Sequence, residues 1–284
     1  MRSVGIGGLL LGGQIAAVAQ GYAVTLTPAV VEAGSPVLIR VDAPAGATVD
    51  GEWMGHKVEF FRARGWVALA GVDVASAAGP STLKISVTAK GATQDLSRTI
   101  EIHEAHYRTE SLTVAPGFVE PKAETLPRIK EEQALKEKVW AASADERLWD
   151  GDFHAPVMAA KTDSFGERRM FNGKLASIHK GMDFRAHTGT AVRAGNSGVV
   201  VLARGLYYEG NCVIIDHGLG LFTLSMHLSR IDVHEGQHVA KGQLLGLSGA
   251  TGRVTGPHLH WAVRWQGAFL DPAKLLRMDL SGIR

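Results

Sequence analysis

Four residues near the carboxyl end of the chain have the types and spacing of metal ligands. His179 and Asp183 stand four residues apart in the run HKGMD, and His258 and His260 stand two apart in the run GPHLHW. Two imidazoles and one carboxylate around an open fourth position form the ligand set of a catalytic zinc site. The pattern therefore predicts one zinc ion held by distant stretches of chain, and a hydrolase built around it.

A β-strand would present the two histidines of GPHLHW as such a site requires. Side chains two residues apart on a strand project to the same side. One histidine can then hold the metal while the other touches a substrate. Strand-like runs separated by glycines fill residues 151–284. They predict a mostly antiparallel β domain in which hairpins bring distant residues together.

Two further segments precede this domain. Residues 20–103 contain short β-branched or aromatic runs between turn residues, which predict a β-sandwich or barrel-like domain. Residues 104–150 are predicted to form an extended and helical connector. Pro127 is suited to a first helical position, and RIKEEQALKEKVWAA follows it as about three to four turns lying against one or both domains. Two glutamates precede Lys136 by four or five residues, so i,i+4 pairing is available, and the charge run is interpreted as a solvated face.

The composition is that of a folded protein without a dedicated nucleic-acid surface. Of the 284 residues, 45% are hydrophobic and 20% are charged, which excludes a disordered chain. The formal net charge of +2 argues against nucleic acid as a partner. Cys212 is the single cysteine, so no intramolecular disulfide can form. Its apolar neighbours in NCVIIDHG indicate a small buried side chain.

The amino terminus has the pattern of an export signal. Arg2 supplies a positive start, residues 4–18 are apolar, and residues 17–19 (AVA) have the form of a cleavage site. Residues 1–19 are therefore predicted to be a signal peptide of an exported, periplasmic or envelope-associated protein. An uncleaved membrane anchor is the alternative, although the apolar run is short for a span of ~20 residues.

The motifs of residues 165–271 together resemble a known family of enzymes. These motifs are HKGMDF, AGNSGVV, VIIDHGLGLFT, SMHLS, GQHVAKGQLLG and SGATGRVTGPHLHW. In this order they resemble the M23 zinc metallopeptidases, also called LytM or lysostaphin-type endopeptidases. The preceding β domain and charged helix are similar to the N-terminal region of exported M23 proteins from Gram-negative bacteria.

The resemblance implies a role for each of five residues. His179, Asp183 and His260 become the ligands of one zinc ion, and His227 and His258 become the catalytic pair beside it. Histidines at these two positions can act as proton-transfer groups. Which of the two acts as the base is left open. The remaining histidines are interpreted as structural or exposed; they include His56, His187, His217, His234 and His238.

Three further residues are candidates for the substrate cleft. Arg169 and Asn172, in the run RRMFNG, resemble family positions near the cleft. Ser225 stands two residues before His227, where the family usually has a tyrosine whose hydroxyl could hold an oxyanion. Serine is too short to reach equally far, which predicts an altered efficiency or substrate fit.

The resemblance implies an exported zinc endopeptidase that cuts stem or cross-link peptides of peptidoglycan, with D-alanyl–meso-diaminopimelate as the expected bond. A factor without catalysis that binds the wall and activates an amidase is the alternative, favoured only by Ser225. Peptidoglycan is the expected partner in both cases. A cell-wall amidase or a regulatory envelope protein is a further candidate partner. The N-terminal domain and connector are candidates to shield the groove or to dock a partner.

Overall fold

The computed structural model describes residues 21–112, 121–161, 165–171 and 174–283. The predicted signal peptide, residues 1–19, lies outside the described residues. None of the helices within the described ranges is both long and apolar enough to cross a membrane.

The first domain is a sandwich of two β-sheets. Its alternating runs place every second side chain in the core; in β8, for example, Leu83, Ile85 and Val87 are buried. One sheet has the order β1-β3-β7-β6 and the other has the order β2-β9-β8-β4-β5. The strands are β1 (Val24–Thr27), β2 (Val31–Glu32), β3 (Pro36–Val41), β4 (Thr48–Trp53), β5 (His56–Glu59), β6 (Phe61–Ala63), β7 (Gly65–Gly71), β8 (Gly79–Ala89) and β9 (Ala92–His103).

The connector contributes one strand and one long helix. Strand β10 (Thr109–Leu112) leads to a 3-10 turn (Ala123–Thr125) and then to helix α1 (Leu126–Ala141). Proline lies in the first turn of α1, where backbone N–H groups have no partner within the helix. The predicted helical connector is therefore present.

The second domain is built on a nine-stranded sheet of order β13-β20-β17-β16-β15-β18, to which β14, β19 and β21 add at the sides. A smaller sheet, β10-β11-β12, joins the connector to this domain through a parallel pair. The mainly β fold class predicted from the sequence is confirmed. The elements are β11 (Arg168–Phe171), β12 (Lys174–Ile178), β13 (Met182–Phe184), β14 (Ala191–Arg193), β15 (Gly198–Leu206), β16 (Gly210–Asp216), β17 (Leu221–Ile231), β18 (His238–Val239), β19 (Leu244–Ser248), β20 (Leu259–Trp265), β21 (Ala268–Leu270) and helix α2 (Pro272–Leu275).

The nine-stranded sheet buries side chains on both of its faces. One face, which includes Val213 and Trp261, joins the apolar core of the sandwich in one continuous cluster. The opposite face packs against α1, whose Trp140 meets Phe222 edge-on with ring centroids 4.9 Å apart. The apolar residues of this helix-covered face are Leu202, Leu206, Cys212, Ile214, Phe222, Leu224 and Ala262.

Most charged residues of α1 are exposed, as the sequence suggested, but Lys136 and Glu132 are not. Lys136 is 17% exposed and pairs with Glu209 of the second domain. Glu132 is 14% exposed and accepts a hydrogen bond from Arg128, one turn away. The i,i+4 partner of Glu132 is therefore Arg128 and not Lys136, because Lys136 pairs with Glu209 of the second domain.

Polar contacts reinforce the apolar seam between the domains. The carboxylate of Asp73 accepts a hydrogen bond from the backbone N–H of Phe269 at 2.7 Å, and Val74 N–H donates to the Phe269 carbonyl at 3.1 Å. Lys274 of α2 donates to Glu32 of β2 at 2.6 Å. The second domain is therefore held by the sandwich on one side and by the connector on the other.

A substitution at Gly71, the last residue of β7, tests this seam. A methyl group there would lie 2.4 Å from Cδ2 of Leu270, which is completely buried. We expect Gly71→Ala to lower the free energy of unfolding by about 1–3 kcal/mol because the core is overpacked, measured by urea denaturation. Gly46→Ala is the control, since no atom lies within 4 Å of its added methyl group. Equal stability of the two variants would contradict this account.

Candidate active site

The residues predicted to hold the metal come together at the edge of the nine-stranded sheet. Asp183 in β13 and His260 in β20 are direct partners in the antiparallel ladder, and His179 precedes β13 by a short turn. His179 Nε2 lies 2.9 Å from His260 Nδ1 and 3.3 Å from Asp183 Oδ1. His260 Nδ1 and Asp183 Oδ1 are 2.9 Å apart. Strand pairing thus brings ligand atoms from distant sequence positions to one point.

The dimensions of this cluster fit a single zinc ion. A tetrahedral zinc with bonds of about 2.0–2.1 Å separates its ligand atoms by roughly 3.3 Å. The triangle of His179, Asp183 and His260 has sides of 2.9, 2.9 and 3.3 Å, so one ion can reach all three corners. Among the described residues these three form a group able to hold a metal ion.

The protonation states of the cluster also suit metal binding. Burial by itself would raise the pKa of Asp183, but hydrogen bonds from His179 and His260 hold it far below the usual range. Burial lowers the pKa of His260, which keeps its ring neutral at neutral pH. A carboxylate and neutral imidazoles are the forms that bind zinc.

Gly181, which the sequence reasoning overlooked, makes the cluster possible. A Cβ at this position would lie 2.4 Å from Nε2 of His260 and 2.8 Å from the carbonyl of Trp261. Only a residue without a side chain lets the HKGMD turn approach β20 this closely. The glycine inside that run was the available signal.

His227 lies beside the metal cluster in an unusual backbone conformation. Its φ is +62°, which is uncommon for a residue other than glycine. Its backbone N–H donates to the carbonyl of Glu209 at 2.9 Å, and its Nδ1 donates to the carbonyl of Thr251 at 2.9 Å. Burial, with a smaller contribution from His260 and His258, lowers the pKa of His227 to about 3. The ring is therefore neutral, with its lone pair on Nε2.

His258 is fixed in a similar way on the other side of the cluster. Its Nδ1 donates to the carbonyl of Gly256 at 2.9 Å, which leaves Nε2 as the ring nitrogen beside the cluster. That nitrogen lies 3.8 Å from Asp183 Oδ1, and the ring centroids of His227 and His258 are 4.9 Å apart. The two histidines and the metal cluster thus share one site.

An open cleft of about 1160 Å³ extends from these histidines to the connector helix. The side chains of α1 that line it are Gln133, Lys136, Glu137 and Trp140. Cationic groups on the wall include Lys180, Arg253 and Arg264. Arg264 is stacked over the ring of Trp140 at 4.4 Å, which joins the helix to the sheet at the cleft. The connector is therefore a wall of the cleft.

The structure corrects the expectation that Ser225 lies in the cleft. Ser225 is 3% exposed and pairs across the sheet with Trp261, whose side chain belongs to the core shared with the sandwich. Its neighbours Leu224 and Met226 line the cleft instead. Regular alternation would put His227 on the same face as Ser225, but the positive φ of His227 and the register shift beside it reverse its direction.

The other two cleft candidates are only partly placed. Arg169 lies in β11, where its backbone pairs with Ser177 on one side and Glu110 on the other, and the structure describes no more of it than this. Asn172 lies outside the described residues. Their assignment to the cleft stays a prediction.

His217, interpreted from the sequence as structural, is completely buried away from the cleft. Its Nδ1 donates to the carbonyl of Ser197 at 2.7 Å, and its Nε2 accepts from the hydroxyl of Thr223 at 2.8 Å. Burial lowers the pKa of His217 to about 4. The neighbouring Asp216 accepts hydrogen bonds from Ser143 and from Ala144 N–H, so it fastens the end of the connector.

The buried neutral ring of His217 should make stability depend on pH. Between pH 6.5 and 4 the unfolded chain binds a proton that the folded protein excludes, so stability falls as the pH falls. We expect this group to contribute roughly 3 kcal/mol at neutral pH that is lost by pH 4. The measurement is urea unfolding of wild type and His217→Gln at several pH values. A stability difference that stayed constant from pH 7.5 to pH 4 would contradict the prediction.

Residues 177–272 match peptidase family M23. The chain carries an M23 peptidase domain. The resemblance inferred from the sequence motifs is therefore confirmed. The matched range contains the metal cluster, His227 and His258.

Curated relatives are similar to part of the chain. Peptidoglycan DD-endopeptidase ShyA of Vibrio cholerae is 46% identical over 114 residues, which are 40% of this chain and 26% of that protein. DD-carboxypeptidase/endopeptidase Mpg of Neisseria meningitidis is 41% identical over 98 residues, 34% of this chain and 23% of that protein. The chain thus spans about a quarter of the length of the curated relatives it matches.

The likeness to a solved structure extends beyond the M23 domain. A Pseudomonas aeruginosa protein assigned to peptidase M23 is 27% identical, with a TM-score of 0.68 over 86% of this chain and 94% of that one. Coverage of this extent includes the sandwich and the connector as well as the M23 domain. The three parts therefore recur together in another protein.

Proposed function

We propose that this protein is an exported, zinc-dependent endopeptidase that hydrolyses peptide bonds in the stem or cross-link peptides of peptidoglycan. One observation carries the proposal. His179, Asp183 and His260 converge on one point, with the rings of His227 and His258 beside them in an open cleft. This arrangement fits hydrolysis of an extended peptide.

The side chains of the site fall into two groups, metal ligands and proton-transfer residues. His179, Asp183 and His260 would hold zinc, which lowers the pKa of a water molecule and polarises a carbonyl group when it is bound. Peptide hydrolysis also needs a group that accepts a proton from water and a donor that stabilises the oxyanion or protonates the leaving amine. His227 and His258 are suited to these tasks, since each has Nδ1 fixed by a backbone carbonyl and Nε2 available.

The substrate class is proposed from the relatives and from the charge of the cleft. ShyA and Mpg are named as endopeptidases, and ShyA as one acting on peptidoglycan. Stem peptides are linear and carry free carboxylates, which Lys180, Arg253 and Arg264 on the cleft wall could bind. A D-alanyl–meso-diaminopimelate bond in the envelope of a Gram-negative cell is accordingly the proposed target. This substrate places the protein in the periplasm or at the envelope.

Digestion of isolated sacculi tests the proposal. The zinc-loaded protein should release new amino groups and convert cross-linked muropeptides of known mass into their monomers. Addition of a chelator should stop the reaction, and added zinc should restore it. Products cut between sugar and peptide, or no products from a fully zinc-loaded protein, would contradict the proposal.

The alternative, a factor without catalysis that binds the wall and activates an amidase, has less in its favour. Ser225 was the feature that favoured it, and Ser225 lies on the opposite face of the sheet from the cleft. All five residues of the metal cluster and the histidine pair are retained. Stoichiometric zinc without turnover, together with stimulation of an amidase, would revive this alternative.

A further inference from the structure

The turn between β15 and β16, residues 207–209, contacts His227 directly. The carbonyl of Glu209 accepts the backbone N–H of His227 at 2.9 Å. This hydrogen bond holds a histidine whose φ of +62° is disfavoured by the steric size of any side chain. A backbone in that conformation persists only where its surroundings hold it in place.

Helix α1 of the connector contacts the same turn through two side chains. Lys136 Nζ contacts Glu209 Oε1, and the two side chains are only 17% and 14% exposed. One turn earlier, Glu132 accepts a hydrogen bond from the backbone N–H of Tyr207 at 2.8 Å. The other carboxylate oxygen of Glu209 is buried without a hydrogen-bond partner among the described residues. Lys136 is therefore the cation that compensates this carboxylate.

The opposite side of the turn packs on the loop that orients the ring of His227. Thr251, whose carbonyl accepts the Nδ1–H of His227, leads into Arg253, whose N–H donates to the carbonyl of Tyr208 at 2.9 Å. The Arg253 guanidinium also lies over the ring of Tyr208 at 4.6 Å. Movement of the turn would thus disturb both the backbone and the ring of His227.

We propose that Lys136 and Glu209 are positioning residues for His227, so that the connector helix is part of the catalytic machinery. The inference rests on the proposed function in one respect, namely that His227 acts in hydrolysis. Without Lys136, the carboxylate of Glu209 is left buried and unpaired, which is strongly unfavourable. The turn then shifts toward solvent. This shift displaces the carbonyl of Glu209, which accepts the hydrogen bond from the backbone N–H of His227.

Lys136→Met in the full chain is the first test, with Lys138→Met as the matched control on the exposed side of the same helix. We expect kcat on a cross-linked muropeptide to fall about 100-fold, the cost of misplacing a reacting group by about 1 Å. KM should stay within about twofold, since positioning acts on the chemical step. Zinc content should equal that of wild type, and Lys138→Met should behave as wild type does.

Two additional variants guard against loss of folding. Lys136→Met with Glu209→Gln leaves no lone buried charge, so it should fold. The contact that ties the turn to α1 is still missing in this variant, so most of kcat should still be lost. The reversed pair, Lys136→Glu with Glu209→Lys, should recover part of the lost rate because the contact is re-formed. Full activity in the double neutral variant would overturn the proposal, as would an increased KM with kcat unchanged in Lys136→Met.

Amide hydrogen exchange gives a readout that does not depend on activity. In the zinc-loaded Lys136→Met protein, the amide of His227 should exchange faster than in wild type, while amides in the centre of β16 should not change. An inactive wild type would refute the proposed function but leave this measurement decisive. Unchanged protection at His227 would overturn the positioning role.

Discussion

Replacing His260 with alanine should abolish zinc binding and peptide hydrolysis together. The imidazole of His260 supplies one corner of the metal cluster, so its removal leaves two of the three ligands. Zinc content should fall from about one ion per chain to nearly none. The rate of hydrolysis should fall by at least roughly 10⁴-fold, as it does when groups that act as a unit are removed.

Metal analysis and muropeptide digestion of the same preparation measure this result. His234→Ala is a suitable control because His234 is exposed and distant in sequence from the cluster. Stoichiometric zinc in His260→Ala would show that the cluster is not the binding site. Loss of zinc with full activity would show that hydrolysis has another origin.

Replacing His227 should separate metal binding from turnover. His227 lies beside the cluster, with its ring centroid 6.1 Å from that of His260, and its Nε2 is available for proton transfer. We expect His227→Ala to keep zinc and to lose about 10²–10⁴-fold in kcat, the usual contribution of a general acid or base. KM should change little, because the lost contact acts in the transition state.

The backbone of His227 calls for a second variant. Alanine is strained at a φ of +62°, whereas asparagine tolerates the left-handed region. His227→Asn should therefore be as inactive as His227→Ala but closer to wild type in stability. Release of zinc from both variants would mean that His227 is a ligand, and recovery of activity in His227→Asn would mean that the alanine variant fails through strain.

The residues of the metal cluster could be predicted because the potential ligands occur in two short sequence motifs. HKGMD and GPHLHW contain metal-ligating side chains at fixed spacing, and few roles other than metal binding explain this set of residues. That Asp183 and His260 face each other across a ladder could not be predicted, because strand register depends on long-range packing. The close approach at Gly181 became visible only with that register.

Ser225 shows where sequence periodicity fails. A separation of two residues indicates a common face only while the strand is regular. One residue with positive φ in β17 reverses the direction of His227 relative to Ser225, and nothing in LSMHLS marks that position. Strand β4 shows a related limit of local sequence patterns. Its sequence TVDGEW contains two acids and a glycine, yet pairing with β8 on one side and β5 on the other overrides these weak propensities.

The connector helix was predicted as an element and as a candidate to shield the groove, but the contacts that make it a wall of the cleft were not predicted. Its charges are spaced as on many exposed helices, and their partners lie more than 70 residues away in the chain. Only the fold reveals that Lys136 and Glu132 face a turn beside His227. Long-range ion pairs of this kind have no local sequence signature.

The shared apolar core has a practical consequence for anyone who dissects this protein by truncation. A recombinant fragment that starts after the connector would leave Phe222 and Leu224 without the helix that covers them, and Trp261 and Val263 without the sandwich beneath them. Such a fragment would expose apolar surface on both faces of its sheet and would tend to aggregate when it is expressed. A low rate of hydrolysis measured on this fragment would reflect the loss of its packing partners and not the activity of the full chain.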